Sequence, residues 1–163
     1  MLTAGVDERT LGDVGEFALI RDFIVPAVEA FGFAGNIGDD CGFLSRSPHS
    51  GSLAITTDGG PRPILWKLAG HQKDYADAGW LSLVASASDI ATSGGAPLAA
   101  VTCIKAPVDL KVRDVVRFVQ GFAEACRAFG FEYAGGDVGE ASHFSSITTA
   151  VRSEEPTSEL QSH

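Results

Sequence analysis

Apolar positions along the chain recur in two rhythms. In residues 112–130, VRDVVRFVQGFAEACRAFG, the set Val112, Val115, Val116, Val119, Phe122, Ala123, Cys126 and Phe129 falls at steps of three and four and makes one face of a helix, which Gly130 ends. The same spacing links Phe17, Ile20, Phe23, Ile24, Ala27, Val28 and Phe31 and predicts a helix over 14–32 that Pro26 kinks or divides. A third helix is expected over 80–95, WLSLVASASDIATSGG, rich in small residues and closed by Gly94 and Gly95. Strand-like runs stand between these: SLAITTD (52–58), PLAAVTCIK (97–105), FEYAGGD (131–137) and FSSITTAV (144–151). Residues 59–79 hold Gly and Pro at their start and charges at their end, and read as a long loop with one helical turn at most. Loops of that length in a compact domain are usually functional or mobile.

Helices and strands thus interleave, and the strands run straight into Gly-rich turns. The expected class is α/β (α+β), a mixed β-sheet packed with helices. A chain of 163 residues, 45% of them hydrophobic, suggests a single domain with a proper core. The end of the chain, RSEEPTSELQSH, has no periodicity and resembles a translated adapter more than protein. The native domain is therefore expected over 1–151, with 152–163 set aside as a non-native tail and a C-terminal domain missing.

Charge removes several partners. The net charge is −9 with only 12 Lys plus Arg and no basic cluster, so neither nucleic acid nor an anionic membrane surface is an expected partner. No apolar run reaches the length of a bilayer span, and MLTAGVDERTLGD lacks the apolar core of a signal peptide, so the expected location is cytoplasmic. Cys41, Cys103 and Cys126 form no CxxC and read as buried free thiols. His49, His71, His143 and His163 form no HxxxH pair and read as surface residues.

The distinctive chemistry is acidic. Asp39 and Asp40 stand side by side in GNIGDDCGFL; Asp58 follows Thr56 and Thr57; Asp89 lies near Ser86 and Ser88; Asp137 follows Gly135 and Gly136. Singly, each has a local explanation, because Asp is common turn and cap chemistry. As a set they sit at the ends of apolar elements, where ligand sites gather in α/β sheets. Several carboxylates in one cleft repel one another unless a cation screens them. Oxygen donors without His or Cys suit a hard ion such as Mg²⁺, which normally shares its shell with waters and substrate phosphates. Gly38, Gly135 and Gly136 would let backbone N–H groups come close to those phosphates. No P-loop, no dinucleotide fingerprint and no G-x-S-x-G elbow occurs.

Taken in order, GEF-LI (15–20), IGDD (37–40), TTD (56–58), DAGW-----S-SDIA-SGGAP (77–97) and GGD (135–137) resemble the N-terminal half of thiamine-monophosphate kinase. That kinase belongs to the superfamily of aminoimidazole ribonucleotide synthetase, selenophosphate synthetase and the hydrogenase maturation dehydratase. The resemblance implies an aminoimidazole ribonucleotide synthetase-like N-terminal domain that forms a homodimer through its sheet. It implies ATP and Mg²⁺, with Asp40, Thr56, Thr57, Asp58, Asp89 and Asp137 at metal-binding positions and Gly136 and Asp137 in a nucleotide-contacting turn. The implied reaction is phosphoryl transfer from ATP to thiamine monophosphate, which depends on positioning and charge neutralisation. The chain departs from the pattern on the acceptor side. The segment after Asp58 lacks the family's His, with His71 further on; Ser86 stands where the family has Asn, and Val138 where it has Thr. The alternatives are another ATP-dependent enzyme of the superfamily, and a non-catalytic nucleotide-binding module.

Overall fold

The computed structural model describes residues 13, 16–26, 42–45, 52–71, 74–92, 94 and 96–154. The chain divides into two units, Met1–Asp39 and Asp40–His163. In the first, helix α1 (Glu16–Leu19) runs directly into a π-helix over Ile20–Ile24. Pro26 has no N–H to offer the Asp22 carbonyl, and its ring crowds that carbonyl. A widened turn just ahead of it is the physical form of the expected kink. The rest of the 14–32 helix lies outside the described residues.

The second unit runs β1 (Gly42–Ser45), β2 (Ser52–Gly59), α2 (Pro63–Leu68), α3 (Tyr75–Thr92), β3 (Ala96–Ala106), α4 (Val112–Phe129), β4 (Glu132–Glu140) and β5 (Ser145–Glu154). The strands form one sheet in the order β1-β2-β5-β3-β4. Only β3 and β4 pair in parallel; the other neighbours are antiparallel. Strand β5 enters last and fills the space between β2 and β3. The sheet is therefore mixed, as the interleaved pattern predicts.

Both long helices cover one face. Ala54, Thr56, Ala100, Thr102, Ile104, Ser146, Thr148 and Ala150 alternate along β2, β3 and β5 as buried residues beneath them. One cluster joins Leu83 and Ile90 of α3 to Phe122, Ala125 and Cys126 of α4 over Ala54, Ala100 and Ala150. A second joins Ala78, Phe118, Ile104 and Phe144. On the opposite face Val101 and Ile147 are exposed.

The helices meet through two glycines. A Cβ at Gly79 would stand 1.9 Å from the Phe118 carbonyl oxygen, and one at Gly121 would stand 2.0 Å from the Ala76 carbonyl oxygen. Each helix thus presents bare backbone to the other, which draws α3 and α4 close. Below α3, small hydroxyl residues make a polar seam with β5. Ser82 Oγ lies 2.8 Å from Thr148 Oγ1, and Ser86 Oγ donates to the Thr148 carbonyl at 3.4 Å.

Three expectations need correction. Residues 59–79 are not a single loop: they contain α2, and α3 begins at Tyr75 rather than Trp80. The reason is a reciprocal cap. Asp74 Oδ1 accepts from the Ala76 amide at 2.7 Å, and Asp77 Oδ2 accepts from the Asp74 amide at 2.8 Å. Strand β4 does not end at the glycine pair but continues to Glu140, because a shift of register opposite the Ala100–Thr102 step of β3 absorbs Ala134 and Gly135 and leaves Gly136 paired with Thr102. Strand β5 runs past Val151 to Glu154, with Arg152 1% exposed and Glu154 opposite Ser52.

Candidate functional site

Thr56 and Asp89 meet on the helix-covered side of the sheet, and Asp58 lies on the same side. Thr56 is buried on β2, and its Oγ1 donates to Asp89 Oδ2 on α3 at 3.0 Å. Strand alternation puts Asp58 on the same face as Thr56, two residues on, a rise of about 7 Å. Asp58 Oδ2 is enclosed. Helix α3 brings Asp89 here because its small-residue face, Ser82 and Ser86, lets it lie close over β5.

The other predicted residues do not join them. Thr57 faces the opposite side, where its Oγ1 lies 2.9 Å from Thr149 Oγ1. Asp137 is on that side too. Register links Asp58 to Thr148, Thr148 to Thr102, and Thr102 to Gly136, the neighbour of Asp137. Three strand spacings amount to about 14 Å, so Asp137 shares no ion with Asp58 or Asp89 of the same chain. Asp39 and Asp40 lie outside the described residues. Among the described residues no three His, Cys, Asp or Glu side chains come together as a metal-holding group.

Asp137 has a different neighbourhood. Lys105 Nζ donates to its Oδ2 at 2.8 Å, and Cys103 Sγ lies 3.7 Å from the same oxygen. That hydrogen bond and the charge behind it hold the Asp137 carboxyl below its ordinary range and push the Lys105 ammonium above its own. Sequence reading missed Lys105. The available signal was a lysine in the apolar run PLAAVTCIK, two residues from Cys103 and so on the same face. It also took Cys103 for a buried thiol; of the two cysteines among the described residues Cys126 is buried, and Cys103 is half-exposed beside Asp137. Cys41 lies outside the described residues.

His71 is exposed after α2, its amide donating to the Trp66 carbonyl at 2.9 Å. It lines a cavity of about 680 Å³ with Pro63, Lys67, Asp74, Tyr75 and Lys111. From Asp74 to Asp89 the helix climbs about 22 Å, so this cavity stands at the far end of α3 from the acidic corner.

The family description "AIR synthase related protein, N-terminal domain" matches residues 38–152. The chain belongs to that family. The AIR synthase-related domain is 29% identical over 148 residues to a thiamine-monophosphate kinase from Corynebacterium glutamicum, covering 89% of this chain and 42% of the relative. It is 37% identical over 105 residues to the phosphoribosylformylglycinamidine synthase subunit PurL of Limosilactobacillus reuteri, covering 62% of this chain and 13% of that one. The solved structure described as AaThiL complexed with AMPPCP and TMP superposes with a TM-score of 0.77 at 28% identity, over 90% of this chain and 44% of that chain. The domain therefore spans less than half the length of these relatives.

Proposed function

We propose that this domain is the Mg²⁺- and ATP-binding part of a cytoplasmic phosphotransferase that acts on thiamine monophosphate. The observation that carries the reading is the hydrogen bond from Thr56 to Asp89, with Asp58 Oδ2 enclosed on the same face of the sheet, at the motifs that resemble the kinase. Two carboxylates and a hydroxyl form an all-oxygen donor set of the kind Mg²⁺ accepts when phosphates and waters complete its shell. Asp58 and Asp89 would hold the ion, with Asp40 as a further ligand. Bound there, Mg²⁺ would neutralise charge on the phosphates. Thr56 fixes the rotamer of Asp89 through its 3.0 Å hydrogen bond, so the carboxylate is aimed before any ion arrives. The reading assigns the protein no covalent nucleophile: its part is to orient and to neutralise.

Gly136 and Asp137 are a second point of nucleotide contact in this reading. A second copy of the chain covers the uncovered sheet face, where Val101 and Ile147 are exposed; light scattering should then report a dimer, and a monomer at high concentration removes that part. The shared identity with the PurL subunit favours a second reading, an ATP-dependent enzyme with another acceptor. Incubation with ATP, Mg²⁺ and thiamine monophosphate separates the two: formation of thiamine diphosphate, lost in excess chelator, is expected. Mg-ATP binding without that product would remove the acceptor and leave the nucleotide site.

A further inference from the structure

Beneath α3 the sheet changes character from one row to the next. Ala100 and Ala150 are partners across β3 and β5, and the next row on that face is Thr102, Thr148 and Asp58. Alanine already lets a helix lie close, so the hydroxyls are not needed for room. A buried hydroxyl is destabilising unless it is bonded. What bonded hydroxyls add is direction. Apolar contact tolerates sliding, whereas a hydrogen bond holds a helix at one height.

Much of that bonding converges on Thr148, which is fully buried. Its Oγ1 lies 2.8 Å from Ser82 Oγ, and its carbonyl accepts from Ser86 Oγ at 3.4 Å, one helical turn further along α3. Asp89 follows Ser86 by three residues and so continues the same side of the helix. Across the sheet, Thr148 is the ladder partner of Asp58, at the separation of about 5 Å that antiparallel partners keep. Just past Asp58, the Gly60 amide donates to the Ser146 carbonyl at 2.8 Å. A Cβ at Gly60 would stand 2.0 Å from Ser146 Oγ and 2.7 Å from Ser82 Oγ. The strand that bears Asp58 and the helix that bears Asp89 are therefore tied to the same short piece of β5.

We propose that Thr148 is a positioning residue of the acidic corner: it sets where Asp89 stands relative to Asp58, without itself serving as a ligand. The proposal rests on the reading of that corner as the Mg²⁺ site. A slip of α3 by one residue would shift Asp89 by about 1.5 Å and turn it by about 100°, away from Thr56. The Thr148 hydroxyl, bonded to Ser82, opposes that slip.

Titration of the chain with Mn²⁺, the free ion counted by electron paramagnetic resonance, tests it in Thr148→Val, Thr148→Ser, Thr102→Val and Asp58→Asn. Thr148→Val keeps the shape and removes the hydroxyl. Mn²⁺ affinity should fall about tenfold or more, the scale seen when a group behind a metal ligand is lost. Thr148→Ser keeps the oxygen and should restore most of it. Thr102→Val is the control, because the Thr102 hydroxyl is buried in the same row but donates within the sheet, to the Ile147 carbonyl at 3.3 Å. It should lower the urea midpoint and leave Mn²⁺ affinity unchanged. If Thr148→Val does not fold, Ser82→Ala removes the same contact from the helix side and decides by the same criteria. Loss of Mn²⁺ in Asp58→Asn with wild-type binding by Thr148→Val overturns this proposal alone, as does an equal loss in Thr102→Val. A wild-type chain that binds no Mn²⁺, or an Asp58→Asn chain that binds it as wild type does, overturns it together with the metal reading.

Discussion

Gly121→Ala sets two physical effects against each other. On an isolated helix, alanine is favoured over glycine by about 1 kcal/mol. In this fold the new Cβ would stand 2.0 Å from the Ala76 carbonyl oxygen and 2.7 Å from its carbon. These are backbone atoms of α3 and cannot rotate away. Ordinary contact needs about 3.5 Å, so α3 and α4 must part by roughly 1.5 Å. The gap would open beside Phe118, Phe122 and Ala125, all fully buried. A gap of even about 1 Å forfeits up to half of the dispersion energy of the contacts lining it. Overpacking of this kind costs about 1–3 kcal/mol and occasionally more, and rigid backbone on both sides puts the site at the upper end. Net destabilisation of about 2 kcal/mol is expected after the propensity gain, or a fall in Tm of about 4–8 °C. Urea and thermal unfolding followed by circular dichroism measure it, with Gln120→Ala, at an exposed position of the same helix, as the propensity control. A Gly121→Ala protein as stable as wild type, or more so, would mean that the helices do not meet backbone to backbone, and the placement of Asp89 over Thr56 would lose its support.

Two further outcomes follow from single contacts. Thr56→Val removes the hydroxyl that donates to Asp89 Oδ2 at 3.0 Å, and should cost about 1.5–3 kcal/mol, the range for hydrogen bonds to charged groups, while Thr56→Ser should cost clearly less. Equal stability of the two variants in urea would remove the bond from the account. Burial pushes the Cys126 thiol from its ordinary 9.0 up to about 11, so between those values the unfolded thiol loses its proton while the folded one keeps it. Stability present below pH 9 should therefore decline as pH rises toward 11, by up to about 2–3 kcal/mol, and Cys126→Ala should flatten that decline; parallel pH profiles would contradict it.

Periodicity made most of the fold legible. The span of 112–130 corresponds to α4 but its expected face does so only in part: Phe122 and Cys126 are buried, whereas Val112, Val116 and Phe129 are exposed and Phe118, Gly121 and Ala125 are buried instead; the alternation in 144–151 falls in β5, which runs on to Glu154. The start of α3 was missed because a cap written with two aspartates, Asp74 and Asp77, looks in sequence like a charged loop. The continuation of β4 was missed because Gly135 and Gly136 resemble a turn, and only the partner strand reveals a register shift. At the candidate site, the hydroxyl residues beside the acids were legible as a signal, and the structure links one of them, Thr56, to Asp89. The face of Asp137 was not. Which side of a sheet a residue occupies depends on strand parity counted through the bulge, and a single residue of slippage reverses it. Lys105 escaped notice for a related reason, since its meaning comes from a neighbouring strand 32 residues away.

The most direct measurement is a calorimetric titration of the chain with ATP, with and without Mg²⁺, in parallel with Asp58→Asn and Asp89→Asn. The account expects binding by the wild type only when Mg²⁺ is present, and binding weakened at least tenfold in each variant with the circular dichroism spectrum unchanged. Equal affinity in excess chelator, or variants that titrate like wild type, would contradict the claim that this corner holds the metal-bound nucleotide.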